Sequence, residues 1–406
     1  MIINADLHIH SKYSMATSKK MDLTTIGEEA AKKGINLVGT GDCTHPFWLK
    51  EIKEHSTDDS TIKIGDTSFV LTTEIEDINR VHHLLLIPTI SKAEELIETI
   101  SKYGNLEADG RPTVKLDGCE IAEIAKNIGA LIGPSHAFTP WTAIYAAHDS
   151  LMSCYRDMTS YISFLELGLS ADTNYADQIK ELHDLTYLTN SDAHSPWTNK
   201  LAREFTSFNV PEESFDGVKS AILRKRGYGS KLNVGFYPEE GKYNKTACTR
   251  CFKQYNLSSA KSHGWRCPED NGLIKKGVSD RISELADLDL TSHPEHRPEY
   301  MHLIPLSEII MMGLQHSSIS TKGVTSAWNK LINKFGSEVN ILINADIEEL
   351  NIVDQKIVNA IESFRKRELI IHPGGGGKYG WLELPAPSDK KFEKVQTKGQ
   401  ANLLDY

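Results

Sequence analysis

The stretch NADLHIHSKYS, residues 4–14, places one acid and two histidines at alternate positions. The run over residues 2–7 is typical of a β-strand. Because strand side chains alternate between two faces, Asp6, His8 and His10 point the same way. Two imidazoles spaced like this can bind one metal ion, although a polar strand edge with solvated histidines would show the same pattern.

Further histidines and acids follow the strand-like runs of the first 200 or so residues. They are Asp42 and His45 in GTGDCTHP, Glu74 in LTTEIED, His82 and His83 in RVHHLLL, His136 in GPSHAF, Glu166 in FLELG, and Asp192 and His194 in NSDAH. In a β/α barrel the C-terminal strand ends open onto one face, where sites are built. The pattern therefore predicts a multi-metal centre, and clustered cations suit phosphate ester hydrolysis because they activate water and neutralise phosphate oxygens.

Strands and helices alternate in the part of the chain that carries these residues. DLTTIGEEAAKKG predicts a helix with Asp22 as N-cap and Gly34 just after its end, and GCEIAEIAKNIG predicts another that ends at Gly129. The predicted strands are INLVGTGD, FVLTTE, VHHLLLIP, ALIGPSHAF, ISFLELG and TYLTNSDAH. This alternation indicates an α/β fold of parallel β/α units, either a barrel or a doubly wound sheet.

Composition limits the class of protein. The 406 residues carry a net charge of −10, but residues 219–281 contain 14 Lys/Arg against 5 Asp/Glu, so this segment can bind a polyanion. No apolar run approaches a membrane span, and the N-terminus lacks a signal pattern. With six cysteines and no export signal, a reducing, cytoplasmic location without a membrane partner is expected.

The motifs DLHIH, GTGDCTHP, TTEIED, VHHLLL, PSHAF and SDAH, in this order, resemble the PHP (polymerase and histidinol phosphatase) superfamily. The resemblance covers about residues 1–230. It implies a distorted seven-stranded β/α barrel that binds three metal ions and hydrolyses phosphoesters. By the same resemblance, Asp6 orients a ligand histidine, whereas Glu166 is either such a partner or only a salt-bridge partner.

The resemblance also implies a role for each barrel residue. The ligands would be His8, His10, Glu74 and Asp192 at one ion, Glu74, His83 and His136 at a second, and Asp42, His45 and His194 at a third, with Glu74, Asp192 and Asp42 as the catalytic acids. Two choices stay open. Strand alternation allows only one of His82 and His83 to face the site, and Asp42, His45 or both could bind the third ion.

A cysteine module lies inside the basic segment. Cys248, Cys251, Cys267 and Asp270 have the spacing of a zinc ribbon in which aspartate replaces the fourth cysteine, and His263 is another possible ligand. The alternative is a ribbon that has lost its metal and folds by packing alone. Interleaved aromatic and basic residues suit a nucleic-acid backbone with stacked bases, but a small solvated module would look similar.

The C-terminal region is expected to be mainly helical and to bind DNA. VDQKIVNAIESFRKREL predicts a helix with Asp354 as its cap. The four glycines from Gly374 to Gly377 leave backbone N–H groups free to approach a phosphate, or form a hinge. The tentative DNA contacts are Gly375, Lys378 and Tyr379 here, and Phe47, Trp48, Trp141 and Trp197 near the metal motifs, where packing at the barrel rim is the alternative.

The predicted units are a barrel over residues 1–232, a ribbon-like module over 243–280, a C-terminal domain over 281–387 and a tail over 388–406. Residues 230–245, rich in Gly, Pro and polar residues, are predicted to form a linker. The tail could dock a sliding clamp or a repair partner.

The order of these units, with CTRCF, WRCPE, IKKGV, PEHRPEYMHLIPL and PGGGGKYG, resembles the endonuclease Q family over nearly the whole chain. The resemblance implies a DNA repair enzyme that cuts double- or single-stranded DNA on the 5′ side of uracil, hypoxanthine, xanthine or an abasic site. Two or three divalent ions (Zn, Mn, Mg or Ni) would bind in the barrel and one structural zinc in the ribbon. The alternatives are a small-molecule phosphomonoesterase of the histidinol-phosphatase type and a less selective nuclease.

Overall fold

The computed structural model describes residues 1–288 and 291–385 of the chain. Its strands are β1 (Ile2–Asp6), β2 (Leu37–Gly39), β3 (Ile62–Ile64), β4 (Thr67–Glu76), β5 (His82–Ile87), β6 (Leu131–Pro134), β7 (Phe164–Glu166), β8 (Thr186–Leu188), β9 (Phe205–Asn209), β10 (Gly229–Gly235), β11 (Ala247–Cys248), β12 (Ile274–Lys275), β13 (Glu299–His302), β14 (Ile370–His372) and β15 (Trp381–Glu383). Its helices are α1 (Leu23–Lys33), α2 (Pro46–His55), α3 (Ile90–Ile100), α4 (Gly118–Asn127), α5 (Ile144–Ala147), α6 (Leu151–Tyr155), α7 (Thr173–Ala176), α8 (Phe215–Ile222), α9 (Leu257–Ser262), α10 (Val278–Leu285), α11 (Leu306–Leu314), α12 (Lys322–Phe335) and α13 (Gln355–Arg365). None of these helices is long and apolar enough to cross a membrane.

The main sheet curls into an incompletely closed barrel. Its strands run in the order β13-β10-β9-β1-β2-β4-β5-β6, with β3 beside β4, and β7 and β8 form a separate parallel pair. This pair bridges the open side, because the Ala137 N–H donates to the Glu166 carbonyl at 2.9 Å and the Asp192 N–H donates to the His8 carbonyl at 2.9 Å. The predicted α/β barrel architecture is confirmed.

The strands of the barrel are not all parallel, as the β/α alternation suggested. β1, β2 and β4 are mutually parallel, but β5 runs antiparallel to both β4 and β6. The reason is the connection over residues 77–81, which is too short for the crossover that parallel strands need. As a result, the start of β5 lies at the same edge as the end of β4.

Two helices of the barrel begin and end close to the residues that the sequence predicted. The side chain of Asp22 accepts a hydrogen bond from the Thr25 N–H, and Gly34 adopts a left-handed φ of 90° after α1. At α4, Asp117 and Glu120 form a capping box, and the helix ends just before the predicted Gly129. Both predicted helices are confirmed.

The predicted linker over residues 230–245 is wrong at its start. Residues 229–235 form β10, which pairs antiparallel with β9 and parallel with β13. The predicted barrel limit at residue 232 therefore falls inside a strand, and β13, from beyond the ribbon, completes the same sheet. Glycine and asparagine disfavour strands locally, but pairing on both sides overrides that preference here.

The C-terminal helices pack against the barrel through a buried ion pair. Lys33 Nζ lies 2.6 Å from Glu338 Oε1, and both side chains are 4% exposed. Glu338 also accepts hydrogen bonds from the Leu306 N–H at 2.8 Å and from Trp328 Nε1 at 3.2 Å. The predicted helix after Asp354 is confirmed as α13, and the predicted tail lies outside the described residues.

Candidate metal centre

Four side chains from three separate segments converge inside the barrel mouth. His8 and His10 follow β1, Glu74 lies in β4, and Asp192 follows β8. His10 Nε2 lies 3.5 Å from Glu74 Oε2 and 3.2 Å from Asp192 Oδ1, while His8 Nε2 lies 3.6 Å from Glu74 Oε1. Two atoms that bind one ion at about 2.0–2.1 Å with tetrahedral angles are about 3.3–3.4 Å apart, so these separations fit shared ions.

The buried polar atoms of this cluster fit divalent cations. His8 Nε2, His10 Nε2 and Asp192 Oδ1 are all buried and have no hydrogen-bond partner among residues 1–288 and 291–385. A buried polar atom without a partner is costly, and a cation would satisfy all three at once. Imidazole nitrogens and carboxylate oxygens are ligands that Zn, Mn and similar ions accept.

A buried carboxylate orients each of the first two histidines. Glu166 Oε2 lies 2.7 Å from His8 Nδ1, and Asp42 Oδ1 lies 2.9 Å from His10 Nδ1. A carboxylate that accepts the Nδ1 proton leaves the Nε2 lone pair facing the cluster. Of the two roles left open for Glu166, the structure supports the orienting one.

The structure does not place Asp42 as a ligand of a third ion. Its Oδ2 accepts hydrogen bonds from the Ser11 N–H, the Ser11 hydroxyl and the Ser14 hydroxyl at 2.6, 2.7 and 2.9 Å. With Oδ1 beside His10, both carboxylate oxygens are engaged by protein groups. Asp42 is therefore positioned to orient His10 rather than to bind metal or act as a catalytic acid.

The second group of possible ligands contains His82 and not His83, the residue expected from the sequence. Glu74 Oε1 lies 3.0 Å from His82 Nδ1 and 3.0 Å from His136 Nε2. In the β4–β5 pair, Glu76 is directly opposite His82, whereas Ile75 is opposite His83. Because directly opposed residues share a face, His82 lies on the face of Glu74, and His83 points to the other side.

The third ligand group consists of His10, Asp192 and His194, whose ligand atoms lie within 4.8 Å of one another. His45, predicted for this ion, belongs to no such group among the described residues. Its ring instead stacks on Tyr13, with centroids 4.6 Å apart. The sequence placed His45 by its motif alone, and the turn after β2 directs it toward the aromatic side chain.

Asp6 does not contact a histidine, contrary to its predicted role. It accepts hydrogen bonds from the Ser191 N–H at 3.0 Å, the Ser191 hydroxyl at 2.6 Å and the Ala202 N–H at 3.0 Å. Burial raises the pKa of Asp6 to about 6, although these hydrogen bonds oppose the shift. Asp6 therefore holds the segment that leads directly into Asp192.

The charges of the centre favour cation binding. Burial alone would raise the pKa of Glu74, but the imidazoles of His82 and His8 outweigh it and hold the pKa well below its usual range. In the same way, burial opposes ionisation of Asp192, whereas the neighbouring imidazoles of His10 and His8 lower its pKa. Both carboxylates therefore stay ionised at neutral pH.

Three residues at the centre have a backbone conformation that is rare outside glycine. Asp42, His136 and Asp192 have φ values of 47°, 30° and 47°. Positive φ in non-glycine residues carries strain and is common at functional sites, where the surrounding structure maintains it. The surrounding barrel therefore holds His136 and Asp192 in position although their backbone conformation is strained.

Sequence reasoning missed Arg111, a cation at the edge of this centre. Its guanidinium lies 3.3 Å from Glu74 Oε2, and its side chain is 26% exposed. Arg111 comes from the irregular segment between α3 and α4, where no periodic pattern or motif marks it. Its position therefore becomes visible only in the folded structure. A phosphate at the metal centre could reach this positive group.

The aromatic residues predicted to contact DNA separate into two groups. Phe47, Trp141 and Trp197 are 54%, 54% and 50% exposed. Trp48 is fully buried, and its Nε1–H donates to the Gly41 carbonyl at 2.9 Å. The tentative DNA contact by Trp48 is therefore wrong, because α2 turns this ring into the barrel core.

The four predicted ribbon ligands come together. Cys248, Cys251, Cys267 and Asp270 form one group of possible metal ligands, and His263 is outside it. Cys251 Sγ lies 3.6 Å from Cys267 Sγ, and Cys248 Sγ lies 3.3 Å from Asp270 Oδ1. These separations resemble the edges of a tetrahedral zinc site with three sulfurs and one oxygen.

The glycine run does not present a row of free N–H groups. The N–H groups of Gly374, Gly375 and Gly377 donate to the carbonyls of Glu239, Lys378 and Lys242 at 2.8, 3.0 and 2.9 Å. The run forms a tight turn against residues 239–245, so the expectation that Gly375 contacts a phosphate through its N–H is wrong. Lys378 and Tyr379, at the turn, are exposed.

Comparisons with known proteins agree with this fold. The crystal structure of the lesion-specific endonuclease PfuEndoQ from Pyrococcus furiosus is 48% identical and covers 95% of this chain and 96% of its own, with a TM-score of 0.90. The crystal structure of an endonuclease Q complex with a 27-mer duplex substrate, which has an abasic lesion at the active site, is also 48% identical, with a TM-score of 0.90 and 95% and 97% coverage.

The chain is also similar in sequence to two further proteins and to one family model. The YqxK protein of Bacillus subtilis is 30% identical and covers 94% of this chain and 99% of its own length. The MJ0043 protein of Methanocaldococcus jannaschii is 44% identical over 275 residues, which are 66% of this chain but only 33% of that longer protein. The family described as MJ0043 C-terminal domain matches residues 305–368, the region of α11 to α13.

A curled β/α barrel with imidazoles and carboxylates at its mouth has the fold and the possible ligands of a metal-dependent hydrolase. Full-length similarity to two solved structures then narrows the class. The chain belongs to the endonuclease Q family.

Proposed function

We propose that this chain is a metal-dependent DNA repair endonuclease that hydrolyses the phosphodiester bond on the 5′ side of a deaminated base or an abasic site. The observation that carries the proposal is the barrel centre, where Glu74 and Asp192 each lie within reach of two or more imidazoles. The similarity to lesion-specific endonucleases over the whole chain supports DNA as the substrate.

Different residues of this centre would bind the ions, orient the ligands and contact the phosphate. His8, His10, Glu74, His82, His136, Asp192 and His194 would bind two or three divalent ions such as Zn, Mn or Mg. When bound, such ions activate a water molecule and neutralise phosphate oxygens. Glu166 and Asp42 keep the histidine rings in place, and Arg111 supplies a positive charge for the scissile phosphate. The expected products are a 3′-hydroxyl and a 5′-phosphate.

Lesion selection requires that the altered base leave the stack. Flipping costs a few kcal/mol, on the order usual for enzymes that act on a single base, and costs less at a damaged position. Phe47, Trp141 and Trp197 are half exposed and are candidates to stack on DNA bases. Uracil and hypoxanthine would then be distinguished by a carbonyl where cytosine and adenine carry an amine.

The remaining units would position the DNA. The ribbon would bind one structural zinc through Cys248, Cys251, Cys267 and Asp270, and its basic surface would contact the phosphate backbone. Lys378 and Tyr379, in the turn between β14 and β15, would contact the duplex further along. The proposed clamp contact falls on residues 388–406, outside the described part of the chain.

The test is a nicking assay on end-labelled duplexes with one uracil, hypoxanthine, xanthine, abasic site or normal base, in the presence of Mn or Mg. We expect cleavage just 5′ of each lesion and none on the normal duplex. Asp192→Asn removes the negative charge of the group formed with His10 and His194, so lesion cleavage is expected to be lost. Asp66→Asn, at the exposed turn between β3 and β4, is the matched control and should cleave normally.

The alternative outcomes have distinct readouts. Equal cutting of normal single strands would indicate a less selective nuclease. Hydrolysis of a simple phosphomonoester without any cutting of lesion DNA would instead indicate a small-molecule phosphatase. Normal lesion cleavage by Asp192→Asn would move the chemistry away from the barrel centre.

A further inference from the structure

A second cluster of possible ligands lies beside the barrel centre and plays no part in the function proposed above. Asp77 follows β4, His83 lies in β5, and Cys154 lies in α6. Their ligand atoms lie within 4.8 Å of one another, and the three residues are 1%, 0% and 4% exposed. We propose that Asp77, His83 and Cys154 form an additional buried metal site that binds a zinc-like divalent cation.

Two buried atoms at this cluster have no hydrogen-bond partner in the part of the chain that the structure describes. They are Asp77 Oδ2 and His83 Nε2, which lie 3.4 Å apart. That separation exceeds the usual 2.7–3.2 Å, on the order expected for an N–H···O bond. It matches the distance of about 3.3–3.4 Å between two atoms that bind one ion at about 2.0–2.1 Å. Comparable separations between unpaired atoms occur among His8, His10 and Asp192 in the barrel centre.

The surroundings orient His83 for ligation. Its Nδ1 lies 2.8 Å from the Tyr155 hydroxyl. When Nδ1–H donates to this oxygen, Nε2 presents its lone pair to Asp77 and Cys154, as a metal-binding histidine requires. The contact with Tyr155 therefore holds the ring in this orientation.

The start of α4 packs closely against the thiol and the imidazole of this cluster. Gly118, the first residue of α4, has no side chain, and a Cβ at this position would come within 2.7 Å of Cys154 Sγ and 3.0 Å of His83 Cε1. Glycine at this position therefore avoids a clash with both candidate ligands.

The charge balance also suits a divalent ion. A carboxylate from Asp77 and a thiolate from Cys154 supply two negative charges, and a neutral His83 supplies none. A bound divalent cation would make the cluster neutral, so burying it in the barrel wall would not leave a net charge in the interior. Zinc accepts this mixture of nitrogen, oxygen and sulfur, with a fourth position left for water.

The first test is diffraction at the zinc absorption edge from crystals of the full chain equilibrated with zinc. We expect an anomalous peak about 2.0–2.3 Å from Asp77 Oδ2, His83 Nε2 and Cys154 Sγ. Peaks at the barrel centre or at the ribbon with none at this position would overturn the proposal and leave only a long His83–Asp77 contact. This result does not depend on any variant folding or on nuclease activity.

The second test measures bound zinc after gel filtration. Cys154→Ser is expected to lose about one zinc per chain relative to the wild type, because metal affinity depends on the thiolate. Cys119→Ser is the matched control: Cys119 is also a buried thiol, lies next to Gly118, and belongs to no ligand group. Equal zinc in Cys154→Ser and the wild type would contradict the proposal.

Discussion

The role assigned to Glu166 can be tested by Glu166→Gln. The carboxylate lies 2.7 Å from His8 Nδ1, and both side chains are 1% exposed, so solvent cannot replace it. Glutamine keeps the size and one acceptor oxygen but removes the charge. Hydrogen bonds to a charged partner are about twice as strong as neutral ones, so His8 is expected to become a weaker and less well oriented ligand.

The expected magnitude follows from the position of Glu166 behind the metal ligand. Loss of such a partner commonly weakens metal affinity by about 10–100-fold, which corresponds to about 1.4–2.8 kcal/mol. Glu166 also accepts a hydrogen bond from Asn190 Nδ2 at 3.3 Å, which the amide oxygen of glutamine can keep. We therefore expect weaker metal binding in a chain that remains folded.

The assay is the rate of lesion nicking as a function of manganese concentration, together with direct calorimetric titration of the metal. The midpoint is expected to rise by about 10–100-fold, while the rate at saturating metal approaches that of the wild type. Glu204→Gln is the control, since Glu204 is also fully buried but belongs to no ligand group. An unchanged midpoint in Glu166→Gln would refute the orienting role and leave Glu166 as a partner in the fold only.

Three further results are expected. Arg111→Ala should reduce the nicking rate at saturating metal by about 100–1,000-fold without weakening metal affinity, because it removes a positive charge placed for the phosphate. The nicking rate should fall by the same factor at every metal concentration, which distinguishes this effect from weaker metal binding. Burial raises the pKa of Glu204 to about 8, so its favourable contribution to stability is complete below its unfolded pKa and is lost as the pH rises through 8. Between pH 6 and pH 9, the free energy of unfolding from thermal melts should therefore fall less in Glu204→Gln than in the wild type, by a difference on the order of a few kcal/mol. Parallel plots of unfolding free energy against pH for the two proteins would contradict this. Asp270→Ala should lower the zinc bound by the ribbon, measured by competition with a chelator, whereas an unchanged affinity would show that Asp270 is not a ligand.

Much of the site could be predicted because its signals are local. The alternation of His8 and His10 after a strand, and the placement of Glu74, His136 and Asp192 near strand ends, follow from chain periodicity alone. The caps of α1 were readable for the same reason, since Asp22 bonds a residue three positions away.

The parts that could not be predicted depend on partners far along the chain. The decision between His82 and His83 rests on the register with β4, where Glu76 opposes His82. The motif around Asp42 resembles that of a metal ligand. In the structure, however, its carboxylate accepts hydrogen bonds from the backbone and the hydroxyl of Ser11, far away along the chain. The strand at residues 229–235 exists because β9 and β13 pair with it on both sides.

By itself, the sequence determined the chemistry that this chain can perform, because residue types and their periodic spacing are local properties. It specified imidazoles and carboxylates for cations, three cysteines and one aspartate for a ribbon, and the α/β architecture that carries them. Only the tertiary structure decided which atoms share an ion, which carboxylates merely orient a ring, and that Arg111 reaches Glu74. Those outcomes depend on strand register, on chain reversal at residues 77–81 and on long-range hydrogen bonds, none of which a linear pattern contains.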